Sequence, residues 1–121
     1  MKKVVLMLVL VLGAVGGPAT ALARQSATPT LVGTVGPGFT ITLTQNGKAV
    51  KTLKSGTYSI AVSDKSSIHN FHLIGPGVNK TTTVPFTGTQ TWTVKLKPGS
   101  YTYQCDIHAA TGMKGAFKVT S

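Results

Sequence analysis

Acidic residues are almost missing from this chain. Of its 121 residues, two carry a carboxylate, Asp64 and Asp106, against twelve lysines and arginines. Mechanisms that need a pair of carboxylates as acid and base have almost no material here. Cysteine is nearly absent too: Cys105 stands alone, so no internal disulfide can form. Sustained helical periodicity is absent after the first two dozen residues, which argues against a helical bundle. The lysines are scattered, without a basic run or interleaved aromatics, and the footprint of a nucleic-acid binder is missing. No apolar run is long enough to span a bilayer. The longest, Val4–Val15, is about twelve residues where a spanning helix needs roughly 20.

That run follows Met1-Lys2-Lys3 and leads to Ala21-Leu22-Ala23. A positive start, a short apolar core and an Ala-x-Ala site describe a secretory signal peptide. Residues 1–23 are therefore expected to be removed, residues 24–30 to form a polar linker, and residues 31–121 to form one domain. The remaining chain keeps ten basic residues against two acids, a net charge of +8. Such a surface is soluble and suits an acidic partner protein or an anionic envelope. A lone thiol in an exported, oxidising setting is a liability unless it is buried or has chemistry to do.

The domain is patterned for strands. Phe39, Ile41 and Leu43 alternate with threonines, and Tyr58, Ile60 and Val62 with Ser59, Ala61 and Ser63. Trp92, Val94 and Leu96 repeat the pattern. This is the period of a strand with one face buried. Phe39, Trp92 and Phe117 are accordingly assigned to the core. Asn46-Gly47 marks a hairpin, and the returning segment Lys48–Leu53 has the lysines of an edge strand. Leu31–Val35 and Thr81–Val84 are further strands, and Tyr101, Tyr103 and Cys105 share one face of another. The expectation is an all-β fold: an antiparallel Greek-key β-sandwich of about seven or eight strands.

One segment carries chemistry: Cys105-Asp106-Ile107-His108-Ala109-Ala110-Thr111-Gly112-Met113. A loop of this length can fold round a point and present thiolate, imidazole and thioether to it. Two histidines and one cysteine in a trigonal plane, with a long, weak axial methionine, form the ligand set of a blue-copper site. Structural zinc would use more Cys or His and rarely Met, and a binuclear copper centre would need a second cysteine. The loop lacks one histidine of the set. Ser67-Ile68-His69-Asn70-Phe71-His72-Leu73 offers two, on opposite faces if the segment is a strand, and alternation does not choose between them.

Here the sequence resembles the cupredoxins, in their plastocyanin and pseudoazurin branch. The resemblance rests on His69-Asn70, on the approach Pro98-Gly99-Ser100-Tyr101 to Cys105, and on Cys105, His108 and Met113 followed by Gly115. It implies a cupredoxin-like sandwich, one copper ion held by His69, Cys105, His108 and Met113, Asn70 as support for the cysteine, and Tyr101 as a tyrosine corner. It also implies single-electron transfer between Cu(II) and Cu(I), no enzymatic turnover, a monomer, and a redox partner protein, for which the basic surface suits an acidic face. A periplasmic carrier or store of copper would use the same ligands and is the alternative. Two positions depart from the pattern. Ile107 stands where plastocyanins have proline, which leaves the loop less stiff, and Gln104 stands where the plant proteins have an exposed tyrosine. The second departure leaves the edge of His108, ringed by Ala109, Ala110 and Gly77, as the expected electron port.

Overall fold

A computed structural model describes Gly16 and residues 27–121. The expected signal peptide, Gly16 aside, and residues 24–26 of the linker lie outside the described residues. Ten strands follow in order: β1 Thr30–Val35, β2 Ile41–Gln45, β3 Lys48–Ala49, β4 Thr52–Lys54, β5 Gly56–Asp64, β6 His72–Gly75, β7 Val78–Thr81, β8 Gly88–Leu96, β9 Gly99–Gln104 and β10 Lys114–Thr120. They form two five-stranded sheets, ordered β3-β2-β1-β5-β8 and β4-β10-β9-β6-β7. Among the described residues no helix is long and apolar enough to cross a membrane.

The alternating side chains face one another between the sheets, as the period of two requires. Leu31, Val35, Leu43, Ile60 and Val62 from one sheet meet Leu73, Tyr101, Tyr103 and Phe117 from the other. Phe71 stacks on Tyr103 with centroids 5.8 Å apart and leans on Trp92 at 6.2 Å. Each fully buried aliphatic or aromatic side chain of this kind contributes about 1.5–3 kcal/mol of transfer free energy.

Four details differ from the sequence pattern. The sandwich is mixed, because β1 runs parallel to β5 and β4 parallel to β10. The segment expected as one edge strand is split between sheets. Val50 is buried and its N–H bonds the Leu43 carbonyl, so the chain dips through the edge and emerges as β4 on the opposite layer. This crossing, counted as two strands, helps raise the total above the expected number. The strand expected at Thr81–Val84 instead ends at Thr81. There Thr82 turns inward and its N–H bonds the Phe71 carbonyl.

Phe39 is the fourth difference. It is 69% exposed, not core. The alternation that includes it is genuine only from Ile41 onward, because the Gly36 N–H bonds the Thr40 carbonyl and closes a tight loop before β2 begins.

Candidate metal centre

Strand β9 delivers Cys105 to one end of the sandwich. Beyond it the chain folds back on itself through backbone bonds. The His108 N–H bonds the Cys105 carbonyl, the Met113 N–H bonds the His108 carbonyl, and the Cys105 N–H bonds the Met113 carbonyl. A single 3-10 turn, Ala109–Thr111, lies between, and Gly112 ends it at φ +102°, a conformation suited to glycine. The loop is thereby pinned by its own main chain, without the proline that Ile107 replaces. Ile107 itself is exposed. Met113 is buried immediately before β10.

The second histidine comes from the segment between β5 and β6. His69, Asn70 and Phe71 are all buried in succession, so the segment is not a strand and alternation could not have sorted its histidines. A buried chain of hydrogen bonds holds it. The Phe71 N–H donates to the Thr82 hydroxyl, which donates to Asp64, and the Ser66 N–H donates to the other Asp64 oxygen. Asp64 is therefore occupied in bracing this segment.

Together these elements bring three donor atoms to one point. His69 Nδ1 and His108 Nδ1 are 3.0 Å apart, and the Cys105 sulfur lies 3.7 Å from the first and 3.5 Å from the second. A point equidistant from the three lies roughly 2 Å from each, the bonding distance of a first-row metal to nitrogen and sulfur donors. Lone pairs facing lone pairs at these distances fit a cation. The donor set, soft thiolate with two imidazoles, suits copper. Cys105 and His69 have no solvent exposure, while His108 is partly exposed.

His72 lies elsewhere. Its Nδ1 meets Asp106 at 2.8 Å and its Nε2 meets the Asn79 side-chain oxygen at 2.6 Å. Partial burial opposes the protonated ring, but the bonds to Asn79 and Asp106 and the Asp106 charge outweigh it, and the His72 pKa rises above its ordinary 6.5. Asp106 is lowered from 3.8: burial opposes its ionisation, while hydrogen bonds from Gln104, His72 and Asn70 and the His72 charge favour it more strongly. Asn70 joins the two halves of the centre. Its side-chain oxygen accepts the Asp106 N–H, and its amide donates to the Asp106 carboxylate and to Thr81. The residue after His69 thus grips the residue after Cys105.

Sequence reasoning missed two neighbours of the centre and misplaced a third residue. Phe39 packs edge-on against both imidazoles, its ring centroid 5.1 Å from that of His69 and 5.0 Å from that of His108. Gly36-Pro37-Gly38 before it was the signal that it belongs to a loop. Asp106 is the second, and its adjacency to Cys105 was the available clue. Gly77 is not near His108. It sits in the β6–β7 turn at the opposite end, beside Lys97.

The chain matches the family described as copper binding proteins, plastocyanin/azurin family, over residues 32–120. Among solved structures it is similar to reduced rusticyanin, with a TM-score of 0.56 and 25% identity, covering 78% of this chain and 81% of that one. Rusticyanin from Thiobacillus ferrooxidans gives a TM-score of 0.52 at 28% identity, over 78% of this chain and 79% of that one. Reduced auracyanin from Roseiflexus castenholzii gives 0.55 at 21% identity, over 79% and 100%, which bears on the fold alone. A comparison with curated protein sequences found no match. Fold, donor triad and family match agree, and the chain belongs to the plastocyanin/azurin family of copper-binding proteins.

Proposed function

We propose that this protein is a small exported carrier of single electrons, holding one copper ion in a type 1 site and performing no turnover of its own. The observation that supports it most is the convergence of His69, Cys105 and His108 on one point, with His69 and Cys105 fully buried. Copper, when bound, supplies a one-electron couple between Cu(II) and Cu(I). The chain supplies the rest. Cys105 would bind the ion as thiolate, His69 and His108 through their ring nitrogens, and Met113 would be the weak fourth donor. Both donor segments are fixed, one by the Asp64–Thr82–Phe71 bonds and the other by its own main-chain bonds and Asn70. Ligands held this way need little rearrangement between oxidation states.

His108 is the ligand that reaches the surface, bordered by Ala109 and Ala110, with exposed Phe39 packed on its ring. An apolar contact there suits a transient redox partner. All nine lysines of the described residues are exposed, and the only ion pair among those residues is His72–Asp106. The positive field is therefore uncompensated and favours a partner with an acidic face. Residues 1–23 serve as the export signal in this reading.

Visible and EPR spectra of the copper-loaded protein test it. An intense thiolate-to-copper band is expected, lost in Cys105→Ser, together with reversible one-electron voltammetry. A colourless copper complex in the wild type would overturn the type 1 assignment. Copper delivery to a metal-free acceptor without electron exchange would favour carriage or storage instead.

A further inference from the structure

A histidine that binds a metal through one ring nitrogen is usually oriented by a hydrogen bond from the other. His69 lacks that device. Its Nε2 is buried and has no hydrogen-bond partner among the described residues. No polar contact on the Nε2 side therefore helps fix the rotation of this ring, and packing must. The aromatic contacts of the His69 ring are to Phe39 at 5.1 Å and to His108 at 4.8 Å, both edge-to-face. Phe39 also touches the His108 ring at 5.0 Å. The three rings form a closed set in which each leans on the other two.

The loop that carries Phe39 is built for this placement. Gly36, at φ +71°, comes so close to the 64–66 segment that a Cβ there would lie 2.8 Å from Ser66 Cβ. The Lys65 N–H bonds the Val35 carbonyl, and the Gly36 N–H bonds the Thr40 carbonyl. A large apolar ring left 69% exposed contributes little to the core, so core packing does not account for Phe39.

We propose that Phe39 is a positioning residue for the metal centre, replacing the missing hydrogen bond to His69 by ring packing and covering the way in to the buried thiolate. This rests on His69 and His108 being ligands. Its role is to hold both imidazoles in the orientation that aims their Nδ1 atoms at the Cys105 sulfur, and to slow metal exchange.

The test uses the full chain loaded with copper. Phe39→Ala is expected to fold, since the ring is exposed, and to shift the intensity or position of the visible band and the EPR parameters. It is expected to speed loss of Cu(I) to a soluble chelator roughly tenfold, the order that two edge-to-face ring contacts would give. Phe39→Tyr keeps the ring and should behave as wild type, while Phe39→Leu keeps bulk without the ring and should follow Phe39→Ala in spectrum. A wild type with a normal band, and a Phe39→Ala protein with the same spectrum and exchange rate, would overturn the proposal while leaving the copper site intact. A wild type without the band would instead overturn the ligand assignment beneath it.

Discussion

Strand β9 has a buried polar group at each end. At one end the Tyr101 hydroxyl accepts the Lys97 N–H at 2.9 Å and lies 2.9 Å and 3.2 Å from the Lys97 and Pro76 carbonyls, which can take its proton. At the other end the Cys105 sulfur faces two imidazole nitrogens. The tyrosine end satisfies its polar atoms from within the protein. The cysteine end gathers acceptors without enough donors between them, and its complement is a cation. The same sheet therefore carries one site that is complete as folded and one that is completed by a ligand.

The strongest way to break this comparison is to remove copper. A ligand that binds only the folded state at a thousandfold excess over its Kd stabilises by about 4 kcal/mol. For a domain of this size that is roughly 15–30 °C in Tm. Calorimetry of the protein with and without copper should show a gap of this order, and Cys105→Ser should abolish most of it. Equal melting temperatures in wild type with and without copper would mean the cysteine end is as complete as the tyrosine end.

The tyrosine end should respond in the opposite sense. Tyr101→Phe keeps the ring stacked on Phe117, 5.1 Å away, and removes only the hydroxyl. The part-buried Lys97 N–H then loses its acceptor, at a cost of about 0.5–1.5 kcal/mol. Chemical denaturation should register this loss while the visible spectrum of the copper form stays unchanged. A spectral shift would show that the two ends are coupled along β9, and would weaken the contrast drawn between them.

The two ends were not equally legible in the sequence. Tyr101 lies on β9 and Cys105 directly follows it, so a period of two carried along the strand fixes which way each side chain points. His108 and Met113 lie in a short loop whose length limits where they can go. His69 was different, because residues 65–71 form no strand and three consecutive side chains are buried there. What buries them is long-range: Thr82 and Asp64 supply the bonds from other parts of the chain. The same holds for Phe39, where alternation with Ile41 and Leu43 pointed to the core and a loop closure between Gly36 and Thr40 decided otherwise. Parallel pairing of β4 with β10 was hidden for a related reason, since a two-residue crossing leaves almost no pattern.

The smallest expected effect concerns the link between His72 and Asp106, which braces the residue after the thiol from outside. Both His72 nitrogens face acceptors, so the doubly protonated ring satisfies both bonds. Its raised pKa means that the folded state holds this proton more tightly than the unfolded chain does. The stabilisation is fully present below 6.5 and is lost as pH rises through the raised value. Asp106 works the other way. Its lowered pKa gives stabilisation above 3.8 that is lost as pH falls through the lowered value. The pair therefore contributes most between those two ordinary values. Because Asp106 is exposed and His72 is only partly buried, the contribution is at most about 1 kcal/mol and weakens with salt. Thermal unfolding of metal-free wild type and His72→Ala across pH 3–8 should show a difference that peaks inside this window and fades on both sides. A difference that stays constant with pH would mean that His72 acts by packing rather than by charge. The outer brace of the cysteine end would then be as pH-independent as the hydroxyl bonds at the tyrosine end.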